Sequence, residues 1–458
     1  MPLRHLPPAL LLLLTASAAL ANIFETNDTQ RANLATAEAW TRQMQATTNA
    51  TRMVRHALVA DKASDSVTIL AEATPVSTGT TIEFLIIGEL SDRDYEGLFR
   101  SFAKPGDVAA ALEFLGLPRG KNVNSLETRF FPRGERVAVS IVPHGADPAS
   151  AKPVSSYIKD MQAKDGAPAW RDFVYCGSPD DPVKKDGSRL ADNEAPNSIL
   201  STYNDAQTIL DVPAVSPQSD VYERFVLRPE SGVKAFALYN IVFKPVRRAD
   251  GRPFVQDYAL RLAPGEKEGD ISYTVSRGGE AKTFADPRAL VETFHAVATN
   301  GLAPHVSIAF DDALTLGSAR VLSQLIGKID GDDGIHVEPP APDQVFYRCF
   351  LPNPEWRAAK TRVSQPWEAH FATHDGKPSI TLIQTLEDWS DPNALDPKLS
   401  TNAFPVADAP AALKLLDEKG HGIHVLLVYA PDEAPLSLFM PTVRLLREKH
   451  PIIYVFGE

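Results

Sequence analysis

The chain has 458 residues, of which 44% are hydrophobic and 23% are charged, and its formal net charge is -12. This composition is typical of globular proteins and excludes wholesale disorder, and at roughly 150 residues per domain the length suggests about two to four domains. Because a nucleic acid or an anionic membrane would be repelled by the negative charge, neither is expected as a partner.

Residues 1–21 have the pattern of a secretory signal peptide. Arg4 and His5 precede an apolar run from Ala9 to Leu14, and small residues then lead to Ala21. The run is too short to span a membrane, which takes about 20 apolar residues. We therefore expect cleavage near Ala21 and a periplasmic or secreted product without a membrane span.

Residues 22–51 are polar and predict a linker or a loosely docked helix. A thin apolar stripe, formed by Leu34, Ala37, Trp40 and Met44, has helical spacing.

A strand-rich segment with one clear helix follows. Residues 54–59, 67–72 and 81–87 are predicted strands, and residues 108–115 are predicted to be helical. Asp107 is the expected N-cap of this helix and Gly116 its C-terminal stop. Further strands are predicted at residues 136–142, 172–176, 222–227 and 233–243.

Two groups of motifs in this segment resemble the YdjY-like domain family of bacterial envelope proteins. The first group contains Ile82-Glu83-Phe84, Asp94-Tyr95-Glu96 and Lys104-Pro105-Gly106-Asp107; the second contains Phe173 to Ser178, Leu190-Ala191-Asp192 and Ile209 to Pro213. The resemblance covers roughly residues 52–245. The family usually has His-Glu where this chain has Tyr95-Glu96, so no role of that imidazole is carried over. The resemblance implies an architecture rather than a reaction.

The remaining chain contains an internal duplication. Strand-like residues 257–262 and 270–275, a helical stretch from Asp286 and the strand-like run from His305 are repeated as residues 369–373, 378–383, 411–416 and the run from His424. In both copies an acidic turn, an apolar-periodic helix and a short strand come next. We place the two modules at residues 252–345 and 346–458.

Both copies resemble the periplasmic domain of the ExbD/TolR biopolymer-transport family. The pattern that carries the resemblance is an apolar strand, an acidic turn, a helix with apolar i, i+3 and i+4 positions, and a final strand, as in His424 to Phe456. The transmembrane helix of that family has no counterpart here, so energy coupling is not implied. The resemblance implies a fold that dimerises and contacts cell-wall polymer or envelope partners.

Four side chains of the YdjY-like segment are candidates for catalysis: Glu83, Glu96, Ser178 and Asp192. Glu83 and Glu96 could form a carboxylate pair for acid-base chemistry, although Glu83 also fits a solvent-facing strand position. Ser178 follows Gly177 but lacks a Gly-x-Ser-x-Gly elbow, so a strand-end turn is the simpler interpretation.

Glu368, His370 and His374 are candidate metal ligands because they alternate along one predicted strand and would share a face. Trp367, Ala369 and Phe371 would then lie on the opposite face, as in any half-buried strand. No Walker loop, dinucleotide fingerprint or HExxH motif is present, so no cofactor is expected. The two cysteines, Cys176 and Cys349, could pair in an oxidising compartment or stay as buried thiols.

The sequence therefore predicts an α+β protein with a β-rich amino-terminal domain, followed by two tandem βαβ-type modules with small mixed sheets. The favoured function is non-catalytic: an exported protein that binds or scaffolds an envelope protein or cell-wall polymer. A homodimer is compatible with this prediction. The alternative is a hydrolase or metal-dependent enzyme with its site in the amino-terminal domain.

Overall fold

A computed structural model describes residues 27–123, 131–177, 198–214, 216–267, 269–327, 336–338, 367–374, 377–388, 390, 398–419, 425–447 and 452–457. The predicted signal peptide, Cys349, Ser178 and Asp192 lie outside these residues. The fold class is α+β, as predicted. The chain divides into two compact units between Pro253 and Phe254.

The first unit is rich in strands. Its helices are α1 (Asp28–Gln45), α2 (Pro105–Phe114) and α3 (Gln218–Val221), besides three short 3-10 segments. Its strands are β1 (Arg52–Arg55), β2 (Leu58–Asp61), β3 (Ser66–Ala73), β4 (Phe84–Ile87), β5 (Gly97–Ser101), β6 (Arg136–Pro143), β7 (Lys152–Pro153), β8 (Ile158–Asp160), β9 (Phe173–Tyr175), β10 (Ser198–Ser201), β11 (Thr208–Asp211), β12 (Phe225–Leu227) and β13 (Leu238–Pro245).

Most of these strands form one mixed sheet of 11 strands. Its main path runs β1-β2-β3-β13-β6-β9-β11-β10-β4-β5, with β7 beside β6 and an additional pairing of β3 with β5, while β8 and β12 form a separate pair. One hydrophobic core includes residues of the sheet and of α2, such as Phe99, Leu112 and Ile241. The β4–β5 and β10–β11 pairs are parallel although each is joined by a short connection, so the loops at this end of the sheet are tightly constrained.

Two local predictions in this unit were wrong. Residues 54–59 are not one strand, because the chain turns at Ala57, which has a left-handed φ of 49°, and β1 pairs with β2 as a hairpin. Asp107 is not the N-cap of α2, since that helix begins at Pro105, which occupies its first turn. The stop at Gly116 is confirmed by its φ of 88°.

Helix α1 docks through polar side chains and through part of the predicted apolar stripe, since Ala37 is buried in the core and Leu34 packs against it. Its buried residues are Gln30, Asn33, Ala37 and Thr41. The Glu72 carboxylate of β3, which is 1% exposed, accepts hydrogen bonds from Gln30 (3.3 Å) and Asn33 (2.9 Å). Burial raises the pKa of Glu72. The helix is therefore held in place by the amides that compensate a buried carboxyl group.

Asn33→Ala should loosen α1, because it removes the bond to Glu72 and a second one to the Phe236 carbonyl oxygen (2.8 Å). Leaving buried acceptors without that donor costs about 1–3 kcal/mol. Hydrogen exchange of the α1 amides measures this loss as a lower free energy of local opening. Gln43→Ala on the exposed side of α1 is the matched control, and equal protection in the two variants would contradict the proposed docking.

The second unit contains two sheets with the same design. The first has β14 (Val255–Pro264), β15 (Ile271–Arg277), β16 (Glu280–Phe284), β17 (Ala303–Phe310) and β18 (His336–Glu338), with α4 (Pro287–Thr299) and α5 (Leu316–Gly327). The second has β19 (Trp367–His374), β20 (Lys377–Asp388), β21 (Lys398–Val406), β22 (Val425–Ala430) and β23 (Ile452–Gly457), with α6 (Ala409–Lys419) and α7 (Leu436–Arg447).

The strand orders of the two sheets correspond one to one: β16-β15-β14-β17-β18 and β21-β20-β19-β22-β23. In each sheet the first two pairings are antiparallel and the last two are parallel. A single hydrophobic core contains residues of both sheets, including Phe310, Trp367 and Phe439. The duplication is thus present in the structure, and the two copies bury their apolar faces together.

The two modules also cap each other's helices. The amides of Leu316 and Gly317, at the start of α5, donate to the carbonyl oxygens of Ala434 (2.9 Å) and Asp432 (2.8 Å). Leu436 and Ser437, at the start of α7, donate in the same way to Leu314 (2.8 Å) and Asp312 (2.9 Å). First-turn amides have no partner within their own helix. The two modules are therefore related by an approximate two-fold relation centred on the bridge between Thr315 and Pro435.

Two ion pairs join the same turns and helices. Asp432 accepts from Arg320 of α5, and Asp312 accepts from Arg444 of α7 at 2.8 and 3.1 Å. The aspartates occupy equivalent turns, but the arginines do not occupy equivalent helix positions, since Arg320 matches Met440 when Leu316 is aligned with Leu436. The two copies therefore differ in sequence, but in each copy the acidic turn is paired with an arginine of the other copy.

Gly457→Ala should break the Arg320–Asp432 pair indirectly, because an added Cβ would overlap the Asp432 carboxylate. For a partly exposed pair we expect a loss of about 0.5–1 kcal/mol in the free energy of unfolding of this unit. In a double-mutant cycle, Arg320→Ala should add little to Gly457→Ala, whereas Arg444→Ala, which breaks the other pair, should be additive. Full additivity with Arg320→Ala would show that Gly457 acts in another way.

Candidate functional site

Glu83 and Glu96, the two described catalytic candidates, are neighbours in the first unit. Glu83 directly precedes β4 and Glu96 directly precedes β5, and the Glu83 amide donates to the Glu96 carbonyl oxygen (3.0 Å). This adjacency follows from the parallel pairing of β4 with β5, which brings the starts of both strands to one edge. Ser178 and Asp192 lie outside the described residues, so their distance from this pair is not defined.

Both carboxylates already have hydrogen-bond donors. Gln218 Nε2 donates to Glu83 Oε2 (2.8 Å), and Arg93 Nη1 donates to Glu96 Oε1 (2.9 Å). The same Arg93 nitrogen donates to the Tyr95 hydroxyl (2.8 Å). Glu83 is buried, and Glu96 is partly exposed. These contacts place the pair in a network that fixes the loop between β4 and β5.

Tyr203 completes this cluster and was not among the sequence candidates. Its ring packs edge-on against Phe84 of β4 with a centroid separation of 5.7 Å. Burial raises the pKa of the Tyr203 hydroxyl, and the carboxylates of Asp205, Glu83 and Glu96 raise it further. The phenol therefore stays protonated at neutral pH and can both donate and accept a hydrogen bond.

Asp205 and Asn204 hold the short connection between the parallel strands β10 and β11. Asp205 accepts from Ser198 Oγ (3.1 Å) and from the Gln207 amide (2.9 Å), which links the start of β10 to the residues before β11. Asn204 donates to Asp211 (3.0 Å) and accepts from the Ser216 amide (2.6 Å). These residues have an evident structural role, since a parallel connection this short needs side-chain support.

Asp211 is fully buried, and its Oδ2 atom has no hydrogen-bond partner in the described structure. Burial raises the pKa of Asp211 well above its usual value, and the neighbouring Asp205 adds to the rise. Asp205 has a raised pKa for the same reason, burial. Asp211 lies in the quoted motif Ile209 to Pro213, but nothing in the motif revealed that its carboxyl group is buried.

Two of the metal candidates, Glu368 and His370, lie in the second unit on the face of β19 that points away from the shared core. Trp367, Ala369 and Phe371 are buried in the core, as the alternation predicts. On the opposite face His370 Nε2 is 2.8 Å from Glu368 Oε2, and the His370 ring stacks on Tyr429 at 4.6 Å. His374 belongs to β19, but its side chain is not among the described ones. Among the described side chains, no group of three His, Cys, Asp or Glu could hold a metal ion.

Cys176 lies buried at the end of β9, where its thiol is 3.7 Å from the Val174 carbonyl oxygen. Cys349, with which it would form the predicted disulfide, lies outside the described residues. In the described part of the chain, no helix is both long and apolar enough to cross a membrane.

Comparison with known families supports the first resemblance. Residues 58–212 match the family model of the YdjY domain, which confirms the amino-terminal prediction. This stretch contains Glu83, Glu96, Tyr203 and Asp211, and its function is unknown. No curated protein matches the chain.

Asp211→Asn should stabilise the first unit at neutral pH. The folded state holds the Asp211 proton more tightly than the unfolded state does, so the free energy of unfolding of the wild type falls as the pH rises above about 4, the ordinary carboxyl pKa. Asparagine keeps the acceptor for Asn204 and cannot ionise. We expect a gain in the free energy of unfolding at pH 7, because burial disfavours the charged carboxyl group and the neutral amide avoids that cost.

The measurement is chemical denaturation of both proteins at several pH values, and the gain should disappear below about pH 4. Asp220→Asn, on an exposed residue, is the control. A gain that does not change with pH would contradict ionisation of Asp211 as its source.

Proposed function

We propose that this chain is an exported, non-catalytic envelope protein that binds or scaffolds an extended segment of a protein partner, with contact to cell-wall polymer as a second mode. We further propose that its second unit is a fused pair of ExbD/TolR-like modules. The corresponding strand orders and the reciprocal helix capping support this view of the second unit.

The observation that carries the proposal is the edge strand β21. This strand has 9 residues and pairs only with β20 among the described strands, and seven of its residues are exposed. Residues 399–404 carry no charge. Natural edge strands are usually short or protected by charges, because their unpaired amides and carbonyls attract other strands. The corresponding edge of the first module, β16, has only 5 residues.

Part of β21 is accessible because the hairpin that it forms with β20 is longer than the pairing of β20 with β19. The pairing of β19 with β20 ends at Gln384, whereas the pairing of β20 with β21 continues to Asp388. Within the described residues, the end of the hairpin therefore extends past β19 as a two-stranded ribbon, where Leu386 and Leu399 are exposed. Addition of an extended peptide to such an edge gives main-chain hydrogen bonds, and exposed side chains supply specificity.

The contacts of Glu83 and Glu96 also support a non-catalytic function, since each carboxylate accepts a bond from Gln218 or Arg93. The alternative, a hydrolase or metal-dependent enzyme, stays a prediction because Ser178, Asp192 and the side chain of His374 lie outside the described residues. Formation of a homodimer likewise stays a prediction.

The proposal is tested at Ala403. Proline in an edge strand has its nitrogen on the open side, and residues at alternate positions share that orientation, so Pro405 indicates that the Ala403 amide points outward. Ala403→Pro should then remove a donor for an incoming strand without breaking a bond to β20. Ala403→Val keeps the amide and is the matched control.

The chain from residue 22 is crosslinked to solubilised envelope through a photoreactive side chain at Thr401, and the crosslinked segment of the partner is identified by mass spectrometry. A synthetic peptide of that segment should bind the wild type and Ala403→Val equally and Ala403→Pro at least about tenfold more weakly, which corresponds to about 1.4 kcal/mol. Equal binding to all three would contradict docking at this edge. Co-sedimentation with purified cell wall tests the second mode.

A further inference from the structure

We propose that helix α1 undocks reversibly and thereby controls the order of residues 88–96, the loop between β4 and β5. The control operates through Arg100, which has two alternative partners. When α1 is docked, Arg100 pairs with Asp94 of the loop; when α1 is released, Arg100 pairs with Glu72 and the loop loses this anchor. The inference concerns the first unit and is independent of the function proposed for the β21 edge.

Helix α1 is held mainly by hydrogen bonds of its side chains. The structure describes all of its residues, and Ala37 is the only apolar one among them that is buried. The other buried residues, Gln30, Asn33 and Thr41, are polar and bond to groups outside the helix. An element that buries so little apolar surface opens at a lower free energy than the core strands do. Helix α1 can therefore separate from the unit while the sheet stays folded.

Two contacts of α1 are with residues in an unfavourable backbone conformation. Thr41 accepts a bond from the Ala57 amide at 2.8 Å. Asn33 donates to the Phe236 carbonyl oxygen at 2.8 Å. Ala57 and Phe236 are both left-handed, with φ angles of 49° and 61°, which is unfavourable for residues with a Cβ. Relaxation of these two turns offsets part of the contacts that are lost when α1 is released.

Glu72 connects α1 to Arg100. The two residues are directly opposite each other in the antiparallel pairing of β3 with β5, so their side chains share a face, with Cβ atoms about 4.5–5.5 Å apart. Both residues are buried, with exposures of 1% and 4%. Among the described contacts, however, Glu72 accepts hydrogen bonds only from Gln30 and Asn33. With α1 docked, the amides of the helix thus satisfy the carboxyl group in place of the guanidinium.

In this docked state the Arg100 guanidinium holds the loop. Its Nη2 atom lies 3.1 Å from Asp94 Oδ2 and 3.4 Å from the Ser91 carbonyl oxygen. Ser91 is fully buried, whereas the Asp94 side chain is 41% exposed. An ion pair with an exposed carboxylate contributes little, because water competes for the carboxylate. The pairing of Arg100 with Asp94 can therefore be given up at a small free-energy cost.

Release of α1 changes the balance between the two partners of Arg100. Glu72 then loses both of its donors, and water reaches its carboxyl group. Burial raises the pKa of Glu72, so hydration favours the ionised form. A carboxylate without donors attracts the guanidinium opposite it, because a charge-assisted hydrogen bond compensates both groups. Arg100 then turns from Asp94 to Glu72, and the loop is freed.

The freed loop carries Asp94-Tyr95-Glu96, a motif of the YdjY-like resemblance that has no part in the proposed function. Docking of α1 thus determines whether this motif is held in a single conformation. Because both events share Arg100, the coupling is reciprocal, and a change in the loop must affect α1 by the same factor. This reciprocity distinguishes the coupling from a general loss of stability.

Hydrogen–deuterium exchange of the full chain, measured by mass spectrometry, tests this coupling. Asn33→Ala should speed exchange in α1 and, by about fivefold or more, in peptides that contain the loop amides of Ser91 and Glu96. Glu72→Gln removes the charge that competes for Arg100. In that background Asn33→Ala should still speed exchange in α1 but leave the loop unchanged.

The reciprocal variant is Asp94→Asn, which weakens the anchor of the loop without burying a new group. It should speed exchange in α1 by a similar factor, because the undocked state no longer has to give up the pairing of Arg100 with Asp94. Gln43→Ala, on the exposed side of α1, is the matched control and should change neither region. The amides of α2 report the stability of the whole unit and should stay equally protected in every variant.

The proposal is overturned if Asn33→Ala frees α1 without affecting the loop, or if the loop responds equally in the Glu72→Gln background. It is also overturned if Asp94→Asn leaves exchange in α1 unchanged. A matching increase in α2 would attribute the changes to a general loss of stability, and this result would overturn the coupling as well.

Discussion

The second unit depends on the exchange of helix caps between its two modules. The opening amides of α5 and α7 are satisfied by carbonyl oxygens of the opposite module, and the acidic turns that provide these oxygens are paired with arginines of the opposite helices. Neither helix start has this set of acceptors within its own module. Together with the shared hydrophobic core, this exchange makes the two copies one folding unit.

In the first unit, polar side chains stabilise irregular loops and turns between the strands through hydrogen bonds. Asn204 and Asp205 support the short return between β10 and β11, and Thr41 of α1 accepts a bond from the Ala57 amide (2.8 Å) at the left-handed turn of the first hairpin. The contacts of Asn204 and Asp205 are local in the chain, whereas the Thr41 contact joins a helix to a separate hairpin. They stabilise conformations that the residues at the turn do not prefer by themselves.

The sequence predicted the fold class, the main strands and the duplication, because alternating and helical hydrophobic patterns report which face of an element is buried. It failed where polar residues are buried. Gln30, Asn33 and Thr41 form the contact face of α1, and their role depends on Glu72, which the pattern of α1 cannot reveal. The hairpin at Ala57 was missed for a related reason, since its left-handed turn is supported from another element. Tyr203 was missed because the antiparallel pairing of β10 with β4, rather than proximity in sequence, brings it to Phe84, the neighbour of Glu83.

The duplication has a consequence for how the paired modules behave at low abundance. A dimer of separate subunits dissociates on dilution, whereas two modules on one polypeptide have an effective concentration set by the segment that joins them. Their association is therefore independent of the concentration of the protein. The covalent link also allows the two module sequences to diverge, because a substitution in one module does not change the other. The unequal lengths of β16 and β21 and the shifted arginines illustrate this freedom.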